Sequence, residues 1–83
     1  MITYYVVQGF ILGKRGMLIA EDAKEARSHD QCLRMAARLA AEGRAGVVAF
    51  SRTGDPNTGD WQDAVILQRY GELPDDEDVF AAA

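Results

Sequence analysis

The sequence predicts an α+β fold: a two-layer sandwich in the order β-β-α-β-β, with a four-stranded antiparallel sheet (order 2-1-3-4) and one helix on one face. Three observations lead there. Only residues 28–43 hold a sustained helical period of apolar positions. The runs on either side are dense in Val, Ile, Tyr and Phe, which favour strands. Turn residues divide those runs into two pairs, as in hairpins. A helical connection leaves the second and third strands running the same way, so the antiparallel order sets the first beside the third.

Residues 3–12 (T-Y-Y-V-V-Q-G-F-I-L) form the first strand. Tyr4, Val6, Phe10 and Leu12 fall on one face, and Tyr5, Val7 and Ile11 on the other. A strand apolar on both faces belongs inside a sheet. Gly9 marks a bulge or the close approach of another backbone. Gly13-Lys14-Arg15-Gly16 makes the turn. Residues 17–21 return, and 22–27 continue as a charged edge strand or a loop.

The helix follows at 28–43. Ser28 is the N-cap, Gln31 completes a capping box, and Asp30 stands near the positive end of the dipole. Gly43 suits a left-handed C′ position. Gln31, Arg34, Arg38 and Glu42 make a polar ridge. Cys32, Leu33, Ala36, Leu39 and Ala40 make the apolar face, whose small side chains let the helix lie close to a sheet. Residues 47–52 form the third strand, 53–61 a loop rich in turn formers, and 63–70 the fourth strand.

Eighty-three residues make one small domain with a thin core. It is assigned to 1–74, with an acidic, disordered tail at 75–83. Net charge is −4, but residues 1–71 hold nine Lys and Arg against eight Asp and Glu. The acidity is therefore in the tail, and a near-neutral body argues against nucleic acid. One cysteine excludes an intrachain disulfide and points to a reducing, cytoplasmic setting. No basic segment precedes the apolar start, so it reads as a strand and not as a signal peptide or a membrane span.

The chemistry-bearing motifs each have a plainer explanation. His29 and Cys32 read H-x-x-C, but zinc needs three or four ligands. An exposed first-turn histidine and a small core thiol explain them better. Cys32 also lacks the partners of a nucleophile. The 55–60 loop departs from the calcium-loop pattern and suits Asx turns. Lys14 and Arg15 lack the spacing of a phosphate loop. No catalytic residue, metal or cofactor is nominated.

The runs L-G-K-R-G (12–16), R-M-A-A-R-L-A (34–40) and G-V-V-A-F-S-R-T-G-D-P-x-T-G (46–59) resemble those of short uncharacterised bacterial proteins, over residues 4–74. That resemblance implies no activity, and no functional residue carries over from it.

Two functional expectations follow. One helix leaves one sheet face uncovered, and a bare apolar face favours self-association. The leading expectation is a non-catalytic homo-oligomer, a dimer first, or a protein-interaction module, joined through Tyr4, Tyr5, Val6, Phe10, Phe50 and Tyr70. The alternative is a small-ligand or anion-binding module using Arg52, Asp55, Asn57, Trp61 and Arg69 beside the 53–61 loop. Nucleic-acid binding by the sheet ranks third.

Overall fold

A computed structural model describes residues 1–74; the expected acidic tail lies outside them. The elements are β1 (Ile2–Leu12), β2 (Leu18–Ala20), β3 (Lys24–Ala26), α1 (His29–Ala41), β4 (Gly46–Asp55), β5 (Asp60–Trp61) and β6 (Val65–Gly71). A single 3-10 turn at Lys14–Gly16 joins β1 to β2. The architecture is α+β: one helix against a curled antiparallel sheet.

Two long strands form its centre. β1 runs antiparallel to β4 in unbroken register from Ile2 opposite Gly54 to Phe10 opposite Gly46. The four strands expected in the order 2-1-3-4 are corrected to six. The path is β2-β1-β4-β5, with β3 also on β1 and β6 also on β4.

Each outer strand is broken, for a local reason. Gln8 is fully buried, and its Nε2 donates to the carbonyls of Glu21 and Gly9. Its amide thus takes up a carbonyl at the point where the return strand leaves the ladder, and β2 and β3 separate at residues 21–23. Gly9 sits beneath this crossing, where a Cβ would come within 2.7 Å of Glu21 Oε1. The close approach there is by a side chain. On the other side, the 53–61 loop is shorter than expected. Residues 53–55 and 60–61 pair as strand, leaving a turn at 56–59. β6 begins at Val65 and carries a register shift opposite Ala49 and Phe50, which leaves Leu67 without an opposite residue. Such a bulge bends and twists a strand.

The helix follows its capping chemistry. Gln31 N–H donates to Ser28 Oγ at 3.1 Å. The Gln31 side chain, however, accepts from Arg27 N–H at 2.6 Å, one residue before the cap. At the other end Gly43 has φ +97°, and Gly43 and Arg44 donate to the carbonyls of Ala40 and Leu39. This is a Schellman termination. Arg44 Nε then bonds Glu21 Oε1 at 2.5 Å, tying the helix end to the base of the first hairpin.

Two cores result. Under the helix, Cys32, Ala36 and Leu39 pack on Val7, Val47, Ala49 and Ala26, with Tyr5, Met35, Leu67 and Tyr70 at the margin. On the opposite face Phe10, Val48 and Phe50 are at most 2% exposed. The expectation of a bare second face is therefore corrected, because the sheet curls over itself. Leu18, Ala64, Ile66 and Leu73 roll inward onto that trio. Leu73 arrives because Glu72 N–H bonds Ala45 O at 2.9 Å, folding the chain back across β4.

Gly46 is where this return passes, and a Cβ there would fall 1.7 Å from the Glu72 carbonyl oxygen. Backbone cannot yield as a side chain can, so Gly46→Ala is expected to destabilise by about 3 kcal/mol, the upper end for overpacking. Urea unfolding checks this, with a lower midpoint at unchanged slope. Burial pushes the Cys32 thiol above its ordinary pKa, with a backbone hydrogen bond from Phe50 opposing. The folded state thus holds this proton more tightly than the unfolded chain. Its contribution is complete below the unfolded thiol pKa, about 8.5, and is lost as pH rises through the folded value. Cys32→Ala should flatten the alkaline stability slope, and a disulfide reagent should react with wild type only on unfolding.

Candidate functional site

One end of the concave face stays open. There Tyr4 stands opposite Arg52 and Val6 opposite Phe50 in the β1–β4 register, with all four side chains on the same face. The next same-face position on β4 is Gly54, paired with Trp61 of β5. Gly54 provides the seat for the indole: a Cβ would lie 2.5 Å from Trp61 Cδ2.

The 56–59 turn brings Trp61 to that seat. Asp55 Oδ1 accepts from Asn57 N–H at 2.9 Å, Asp55 O accepts from Gly59 N–H at 2.8 Å, and Gly59 has φ +79°. Thr58 Oγ1 accepts from Asp60 N–H at 3.4 Å, and Gln62 N–H returns to Thr53 O at 2.8 Å. These bonds satisfy the loop internally, as Asx-type turns do.

The assembled side chains form a wall. The Tyr4 and Trp61 ring centroids are 5.7 Å apart and tilted by 33°. The Arg52 guanidinium carbon lies 5.7 Å from the Trp61 ring centre, within cation–π range. Arg52 Nε is buried without a hydrogen-bond partner. An unmade bond at a buried donor costs about 1–3 kcal/mol. Ala23, Lys24 and Glu25 close the side opposite, from the break in the return strand and from β3. Val6, with the fully buried Phe50 behind it, makes the floor of a cleft of about 310 Å³. That volume is at the lower end of small-molecule sites.

The structure divides each of the two residue sets expected from sequence between different places. Of the ligand group, Arg52 and Trp61 line the cleft, whereas Asp55 and Asn57 do not. The Asp55 carboxylate is engaged in its own turn. Arg69 stands opposite Val48, farther along β6, and is not in the cleft wall. Of the interface group, Tyr4, Val6 and Phe50 join the cleft, while Phe10 lies in the concave core. Tyr5 and Tyr70 belong to the helix side. Tyr5 packs edge-on against His29, with centroids 6.2 Å apart.

His29 and Cys32 separate in the same way. The histidine is at the surface, 3.5 Å from Asp30 Oδ1, and the thiol is buried with Sγ 3.5 Å from Val6 O. Among the described residues no three His, Cys, Asp or Glu side chains gather closely enough to hold a metal ion. No described helix is long and apolar enough to cross a membrane. A smaller hollow of about 190 Å³ lies along the helix, lined by Lys24, Met35, Arg38, Leu39 and Glu42.

Sequence reasoning missed Ala23, Lys24 and Glu25. Their one signal was the continuation of the return strand, which would set residues 24 and 25 beside the Tyr4–Val6 row. The chain matches no protein-family model, no curated protein and no solved structure.

Trp61 is the only tryptophan, so its emission reports on the cleft. Gly54→Ala is expected to lift the indole from its seat, since Asp60 O is also within 2.6 Å of the added carbon. The measurement is fluorescence: emission moves to the red and acrylamide quenching rises, with stability lower by about 1–3 kcal/mol.

Proposed function

We propose that the protein is a small non-catalytic binding module whose cleft takes a planar molecule carrying a negative charge. The observation that carries this reading is Arg52. Its guanidinium is held over Trp61 at the cleft wall, with a buried Nε donor that has no partner. A carboxylate or phosphate in the cleft would pair with the guanidinium, and bonds to charged groups are the stronger kind. The flat body of such a ligand suits Tyr4 and Trp61, whose rings offer stacking area. Val6 and Phe50 beneath them favour an apolar underside.

The reading as a binder rests on what these groups do best. Arginine and aromatic side chains recognise and orient, and fixed polar groups in an apolar cleft set specificity. A buried free thiol at Cys32 accords with a reducing, cytoplasmic setting. Among nucleic-acid-type ligands, a single nucleotide combines plane and charge in this volume better than a strand does, because the body of the chain is near neutral.

Titration of Trp61 fluorescence with aromatic carboxylates and nucleoside monophosphates tests the proposal. At least one class should give a saturable change. Arg52→Gln should weaken it by tenfold or more, about 1.4 kcal/mol. Uncharged analogues of the same shape should bind more weakly than the anions. Absence of any saturable response up to millimolar ligand, or equal binding by Arg52→Gln, overturns it.

A further inference from the structure

We propose that two copies of this chain join edge to edge through β2, around a two-fold axis at Ile19. The β1–β2 hairpin extends beyond the helix as an arm, and it concentrates the exposed apolar surface. Of the eight large hydrophobic residues exposed among those described, Ile11, Leu12, Met17 and Ile19 are all on it. Their exposures run from 41% to 67%.

The outer edge of β2 is the part of this arm suited to a second strand. Glu21 N–H bonds Gly9 O and Gly13 N–H bonds Met17 O, so the ladder to β1 uses the odd-numbered residues of the return strand. By the antiparallel alternation, Ile19 points its backbone groups at Ile11, and Leu18 and Ala20 point theirs outward. A two-fold axis at Ile19 sets Leu18 of each copy opposite Ala20 of the other. That register satisfies those outward groups in pairs. It also joins Ile11 and Ile19 of both copies into one apolar row on a single face.

Charge fits the same arrangement. The arm carries Lys14 and Arg15 at its tip, and Glu21 and Asp22 at its base. Glu21 is held by Arg44, which leaves Asp22 as the carboxylate facing solvent. An antiparallel pairing of arms brings the tip of each copy to the base of the other, with Arg15 one residue from direct opposition to Asp22. Parallel pairing would set like charges together. Isologous contacts of this kind close on themselves and do not propagate. The occupant of the edge is thus a second copy, and the contact is small enough to predict a micromolar dissociation constant.

Sedimentation velocity across a micromolar to millimolar range tests the assignment. Wild type is expected to shift from monomer to dimer. Ile19→Lys puts two cations across the axis and should abolish the shift while circular dichroism and melting remain close to wild type, because the residue is half-exposed. Arg15→Glu and Asp22→Arg should each weaken dimerisation at least fivefold, and the double exchange should restore it. A wild type that stays monomeric throughout, a dimer indifferent to Ile19→Lys, or a double exchange without recovery each overturns the proposal.

Discussion

Nine successive residue pairs between β1 and β4 decide where every other part of the chain lies. Antiparallel pairing exhausts the inward backbone groups of both strands, so the remaining strands attach only on the two outer flanks. β2 and β3 share one flank, and β5 and β6 share the other. Side chains alternate along this ladder, which commits Val7, Val47 and Ala49 to one face and Phe10, Val48 and Phe50 to the other. A slip of one residue would exchange the two sets. Arg52 would then turn toward the helix and away from the face that carries Tyr4.

From that ladder the two layers form by different means. The helix covers its face with small side chains, Cys32 and Ala36 lying directly on Val7 and Ala49. The opposite face has no second helix, and the sheet closes on itself. Closure needs both interruptions of the outer strands. The Gln8 amide holds Glu21 where β2 ends, and the bulge beside Ala49 and Phe50 bends β6 inward. Closure is complete over Phe10 and Phe50. It stops at the Gly54 end, where Trp61 lies flat on the backbone and the cleft opens.

Two buried polar atoms mark the contrast between structural and functional use. Gln8 Oε1 and Arg52 Nε both lack partners. The Gln8 amide nitrogen is engaged with two carbonyls, so the residue acts as a strut and its oxygen is the residual cost of that position. Arg52 has no such structural duty. Its charge stands at an open cavity beside the rings of Tyr4 and Trp61. The two proposed contacts of the molecule therefore lie at opposite ends of the β1–β4 ladder: a ligand beside Gly54, and a second copy on the arm beyond Phe10.

Local chemistry was enough to read the helix, its Ser28 and Gly43 ends, the first hairpin turn and the two apolar faces of β1 from the residues alone. Ser28, Gly43 and the dense Tyr, Val and Ile of β1 act through neighbours one to four positions away, and such effects survive in any tertiary setting. The site was legible only in fragments. Arg52 and Trp61 were nominated by their loop, whereas Tyr4, Val6 and Phe50 were read as an interface, and Lys24 and Glu25 were not read at all. What joins them is register, between residues 17 and 19 apart for β3 on β1 and 44 and 48 apart for β1 on β4, and no local pattern specifies that. The number of strands, the curl that buries Phe10 and Phe50, and the gap it leaves at Trp61 were likewise decided by tertiary structure. Each depends on a single buried amide, one bulge and two glycines, whose effect exists only once β1 and β4 have met.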